Sequence, residues 1–156
     1  MTNIHITQYV GCPFSAALEH AQEALSRRDG LYLTPSPPLG ERVLFTSSST
    51  DDTTNSARRH DALLIAWRPQ TPGLFPKFRG VLTVRPQHRG SVLRLNGQYE
   101  PPYGQTGKVF DFFAGRIIAD RTMHHFLRDL AAEIETQYDR ERKTGGAHVH
   151  SHPLPH

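Results

Sequence analysis

The sequence predicts an α+β domain in which one curved antiparallel sheet wraps around a long C-terminal helix. Three observations carry this reading. Short runs that alternate apolar and polar residues follow one another, separated by turn chemistry. A helical pattern stands after the first of them. A proline-free stretch from Lys108 to about Tyr138 repeats apolar residues at helical spacing. The 156 residues suit a single core, expected over 1–142, with a polar, His-rich tail over 143–156 expected to be disordered.

Residues 3–10 alternate Ile4 and Ile6 against His5 and Thr7, a strand with one buried face. Gly11 and Cys12 break it, and Pro13 is placed to open a helix, where its missing N–H costs nothing. Phe14, Ala17, Leu18, Ala21 and Leu25 give that helix its apolar stripe, and Asp29-Gly30 ends it. Residues 31–40 hold Pro35, Pro37 and Pro38 and read as extended or turning chain. Strands are expected over 42–48, 61–68, 78–85 and 91–99, the last two joined by a hairpin through 86–90. The loops are polar at 49–56 and proline-rich at 69–76, and a rigid turn spans 100–107. The final helix carries Phe110, Phe113, Ile117, Met123, Leu127, Leu130, Ile134 and Tyr138, with Gly115 as a point of kinking or close approach.

Composition excludes several classes. One cysteine, Cys12, allows no internal disulfide, which fits a reducing compartment and a cytoplasmic location. No signal peptide is read at the N-terminus, and no apolar run reaches the roughly 18 residues of a membrane span. The charge is +3 and the sequence pI about 9.3, but the arginines are scattered among acidic residues, so a mixed solvated surface and no nucleic-acid partner are expected.

Few residues suggest catalysis. Cys12 beside a helix start is read as a small buried residue, since no histidine partner is evident. Arg116 and Asp120 read as a surface ion pair, and His60-Asp61 lacks the companions of a metal site. His124 and His125 point about 100° apart on a helix and cannot chelate one ion. His148, His150, His152 and His156 would hold a metal only loosely, so no metal site and no cofactor are expected.

Residues 95–130 read L-N-G-Q-Y-E-P-P-Y-G-Q-T-G-K-V-F-D-F-F-A-G-R-I-I-A-D-R-T-M-H-H-F-L-R-D-L. This stretch resembles the end of bacterial members of the START-like (SRPBCC) superfamily, which includes polyketide cyclase/aromatase-like and Bet v 1-like proteins. In those a last strand ends in G-x-Y-x-P-P-x-G and a long helix follows with a step like Gly115, Ile118 and Ala119. The resemblance implies the helix-grip fold. The sequence shows fewer strands than the usual seven, and segments 31–40 and 47–60 are where more would come from. It also implies an apolar cavity, because a curved sheet and one helix do not fill the space between them everywhere. Phe45, Trp67, Leu82, Leu93, Leu95, Tyr99, Phe113 and Ile117 are the expected ligand-binding residues. The expected function is binding or carriage of a hydrophobic small molecule by a monomer or homodimer. The alternatives are a cyclase/aromatase-like enzyme, or a regulatory or stress module whose core is closed.

Overall fold

The computed structural model describes residues 2–28, 30–33, 42–49, 62–70, 77–100 and 109–146; for 2, 31–33, 42–44, 49 and 109–119 it describes the main chain alone. The elements run β1 (Thr2–Val10), α1 (Phe14–Arg28), β2 (Gly30–Leu33), β3 (Arg42–Ser49), β4 (Ala62–Pro69), β5 (Lys77–Gln87), β6 (Gly90–Glu100) and α2 (Val109–Gly146). Six strands form one sheet in the order β1-β6-β5-β4-β3-β2, and every neighbouring pair is antiparallel. The first two strands therefore lie at opposite edges, and α1 is the connection between them.

Local chemistry explains where the elements begin and end. The Pro13 carbonyl accepts the Ala17 N–H at 2.9 Å, so proline stands just ahead of the first turn of α1. Gly30 follows that helix at φ 98°, a left-handed conformation that glycine adopts without steric penalty. β5 and β6 meet in a tight hairpin with Gln87 opposite Gly90 and Arg89 at φ 61°. The Tyr9 hydroxyl donates to the Arg89 carbonyl at 3.0 Å and ties the turn to β1.

One sequence expectation is sharpened and one corrected. Within segment 31–40, read as extended or turning chain and as a place for a further strand, Leu31–Leu33 join Gly30 in β2, which ends before the prolines and pairs with β3. The final helix does not stop near Tyr138, and the boundary between domain and tail at 142/143 falls inside it, because α2 continues to Gly146. Apolar periodicity ends at Tyr138, but Asp139–Lys143 are nearly all good helix formers. Glu141 also has a partner, its carboxylate lying 3.2 Å from Nε2 of the buried His20 on α1. Residues 147–156, which include His148, His150, His152 and His156, lie outside the described residues, as do His60 and Asp61.

Both helices pack on the inner face of the sheet. Along β4, β5 and β6 the buried side chains alternate as the two-residue period requires, with Leu63, Ile65 and Trp67 inward while Leu64 is 44% exposed. From α2, Met123, Phe126, Leu127, Leu130 and Ile134 enter the core, and from α1 Ala17, Ala21, Ala24 and Leu25 do so. The alanines of α1 keep it close to the sheet and to α2.

The helices are also clamped electrostatically. Arg27 Nη2 lies 2.7 Å and Arg28 Nη2 2.8 Å from the two carboxylate oxygens of Glu133. Partial burial alone would raise the Glu133 pKa. The hydrogen bond from Arg27 and the charge of Arg28 outweigh burial and hold it below the usual carboxylate value. A lowered native pKa means that this contribution is present above the ordinary carboxylate pKa and is lost as the pH falls through the native one.

Candidate functional site

The strand registers place one aromatic side chain from each of four neighbouring strands in a single row. Phe45 on β3 faces Trp67 on β4, Trp67 faces Phe78 on β5, and Phe78 faces Tyr99 on β6. The Trp67 and Phe78 ring centroids are 4.6 Å apart, and those of Phe45 and Trp67 6.4 Å. Phe126 of α2 lies on the row, 5.6 Å from Trp67 and 5.9 Å from Phe45. The Arg28 guanidinium stands 5.8 Å from the Phe126 ring centre. The row marks the end of the sheet where the chain leaves β6 for α2.

The next row explains two glycines. Gly80 and Gly97 are direct cross-strand partners, and the Phe78 ring folds over them. A Cβ on Gly97 would stand 2.5 Å from Phe78 Cζ and 2.7 Å from the Arg79 carbonyl oxygen. Glycine here is the space that lets the aromatic ring lie down on the strand pair.

The row ends in unusual polar atoms. Trp67 Nε1 and the Tyr99 hydroxyl are buried and have no hydrogen-bond partner among the described residues. An orphaned buried donor costs about 1–3 kcal/mol, so two in one row call for a reason other than packing, which phenylalanine would supply more cheaply. Tyr99→Phe is accordingly expected to leave thermal stability unchanged or raise it by up to about 1 kcal/mol in a melting experiment. A loss of more than that would show that the hydroxyl has a structural partner.

A hollow of about 710 Å³ lies at this end. Phe45, Trp67, Phe78 and Tyr99 border it along the strands, but their side chains are 0–3% exposed and point to the inner face, away from it. The exposed lining comes from Gly30 and from residues of alternate parity on the same strands, Thr46, Arg68, Lys77, Arg79, Gln98 and Glu100, around the half-buried Ala66. Lys77 and Glu100 pair at 3.9 Å.

The eight expected ligand-binding residues are therefore divided. Phe45, Trp67 and Tyr99 border the hollow. Leu82, Leu93 and Leu95 stand further along the sheet, 0% exposed and packed within the core, and are not among its lining residues. Phe113 and Ile117 fall in the main-chain helix of α2, and their side chains lie outside the described residues, as does Arg116. Sequence reasoning missed Phe126, although it lies three residues beyond Met123 on the same helical face.

The surroundings of Cys12 disfavour its thiolate. Burial above all, then the charges of Glu135 and Asp139, pushes its thiol pKa from 9.0 up to about 11. At pH 8 the native thiolate population is about a hundredfold below that of the unfolded chain. A disulfide reagent should therefore react slowly with native protein and rapidly after denaturation. Because the folded chain holds this proton more tightly, stability should decline as pH rises from about 9 to 11. Among the described residues no three metal-ligating side chains gather, and no helix is long and apolar enough to cross a membrane.

An antiparallel sheet that holds one long C-terminal helix on its inner face is the helix-grip fold expected from the sequence. The chain is similar to the crystal structure of TTHA0849 from Thermus thermophilus, with a TM-score of 0.58 and 13% identity over 87% of this chain and 99% of that one. It is similar to a conserved protein from Geobacillus kaustophilus, with a TM-score of 0.54 and 15% identity over 86% and 96%. It is also similar to the di-domain ARO/CYC protein StfQ of the steffimycin biosynthetic pathway, at a TM-score of 0.50 and 16% identity; 88% of this chain is covered, and it spans about half (52%) of that protein. These likenesses concern the fold. No family model matches the sequence, and no curated protein matches it.

Proposed function

We propose that this chain binds or carries an apolar small molecule at the aromatic end of its sheet. The observation that supports it best is the row Phe45–Trp67–Phe78–Tyr99 on the inner face beneath α2, in which two buried donors have no hydrogen-bond partner among the described residues. Stacked rings favour a flat apolar guest, and a guest admitted between the sheet and α2 would offer the orphaned donors acceptors. Phe113 and Ile117 are proposed to complete the wall from α2, and the proposed setting is a cytoplasmic monomer or homodimer. No convergent acid–base pair appears among the described side chains of the row, so carriage is favoured over catalysis of the cyclase type.

Trp67 is the chain's one tryptophan, so its fluorescence reports on this site alone. Titration with the neutral probe N-phenylnaphthylamine should quench Trp67 by energy transfer, with a dissociation constant in the micromolar range, about −8 kcal/mol. Native mass spectrometry of freshly purified protein should show a co-purified small molecule. The closed-core module is the second reading, favoured by the complete burial of Leu82, Leu93 and Leu95. A folded protein that neither quenches nor carries a guest would establish that reading instead.

A further inference from the structure

The two edges of the sheet differ. β2, at one end of the strand order, is four residues long and stops before prolines. β1, at the other end, runs for nine residues, and its register against β6 is unbroken from Thr2 to Val10. It contains no proline and none of Asp, Glu, Lys or Arg. Charge, proline, a bulge or brevity keep an edge strand from recruiting another strand, and β1 has none of these. β6 occupies one side of its main chain, and among the described residues no strand pairs with the other side. Every second residue therefore directs its N–H and C=O off the edge of the sheet.

An edge of this kind fits an extended, uncharged strand with the same inward and outward alternation, and β1 is itself such a strand. When two copies pair antiparallel about a two-fold axis, inward side chains must meet inward ones. With Thr7 on the axis, Thr7 meets the partner subunit's Thr7 and Ile4 meets the partner subunit's Val10, so the apolar ends of the strand cover each other. His5 then meets the partner subunit's Tyr9. That contact lays a second ring beside Tyr9, which is 46% exposed and one of two large apolar side chains exposed among the described residues. No like charges face each other along the ladder, and Thr–Thr and aromatic cross-strand pairs are favourable ones.

We propose that β1 is a homodimer interface: two copies of this chain join edge to edge, antiparallel about Thr7, into one continuous sheet. The contact uses the same edge of both copies, so it closes at two. It does not depend on the ligand-binding reading above. A single strand pair lies at the small end of specific interfaces, so a monomer–dimer equilibrium is expected, with both forms populated within about 1–300 μM.

Sedimentation of the full chain across that range tests this, with the mean mass expected to rise from monomer towards dimer. Thr7→Glu is expected to weaken association by about tenfold or more, because like charges would meet on the axis. The fold should persist by circular dichroism, since Arg94 is the direct cross-strand partner of Thr7 within the monomer. A second variant locates the axis. Directly opposite residues of an antiparallel pair have Cα atoms about 4.5–5.5 Å apart, within reach of a disulfide. Thr7→Cys should therefore give a covalent dimer with oxidised glutathione, while the native cysteine, Cys12, is buried. His5→Cys should give little, because in this register the two copies of residue 5 stand four positions apart, about 14 Å. A folded chain that stays monomeric throughout overturns the proposal. A dimer that survives Thr7→Glu, or one in which His5→Cys cross-links as well as Thr7→Cys, places the contact elsewhere and overturns it too. Species growing beyond the dimer would mean an open contact instead of a two-fold one, with the same consequence.

Discussion

Phe126→Ala is expected to destabilise the fold by about 3–5 kcal/mol, the usual range for deleting a large aromatic side chain from a packed core. Phe126 is 1% exposed and joins three parts of the molecule. Its ring meets Phe45 and Trp67 of the aromatic row, and Arg28 of α1 stands over it. The alanine variant leaves a gap beneath the row that the four strands, fixed by their hydrogen-bonded register, cannot close. For a domain of this size the loss should lower the melting temperature by on the order of 10 °C or more. Chemical denaturation should show the same loss, and Phe126→Leu should recover a large share of it. A cost under about 1 kcal/mol would show that α2 does not pack on the row.

Gly97→Val should cost about 3 kcal/mol, the upper end of what overpacking does, or prevent folding. The first added atom would already stand 2.5 Å from the Phe78 ring and 2.7 Å from a β5 carbonyl. The ring has nowhere to turn, because Trp67 lies on one side of it and Tyr99 is its partner on the other. The double change Gly97→Val/Phe78→Ala is the informative comparison. Removing the ring gives the valine its space, so the pair should be less destabilised than the sum of the single variants, a coupling measurable in a double-mutant cycle. Additive losses would mean that the main-chain contact, and not the ring, sets the requirement for glycine.

Much of this architecture is legible in the sequence, because its strongest signals are periodic. The alternation of Leu63, Ile65 and Trp67, and of Leu93, Leu95 and Tyr99, tells which side chains share a face. It does not tell whether that face is filled. Leu82, Leu93 and Leu95 are on the expected face and lie in closed packing, and Trp67 and Tyr99 on the same face are buried as well. Whether a face is filled depends on what the helices lay over it, which no single strand encodes. β2 is hidden because four residues are too few for a pattern and prolines follow directly. The length of α2 is obscured for the opposite reason, since its last turns are held by charge and helix propensity instead of apolar spacing. That Arg68 stands diagonal to Arg79 follows only from the β4–β5 register, and register is what composition and spacing leave undetermined.

The position of β1 governs how the chain must fold. β1 and β6 pair from Thr2 opposite Tyr99 to Val10 opposite Ser91, so the outermost ladder is closed by residues more than half the chain apart. The β5–β6 hairpin, in contrast, closes across a short turn. Loop-closure entropy must be overcome before the long-range ladder gives any return, whereas the hairpin needs almost none. Folding should therefore start from β4, β5 and β6, with β1 docking late and together with α2. In kinetic experiments substitutions at Ile4 and Ile6 would chiefly speed unfolding, while those at Leu82 and Leu95 would chiefly slow folding. Until β1 arrives, the free edge of β6 is the part of the chain most exposed to pairing with another molecule, and it is there that aggregation during refolding would begin.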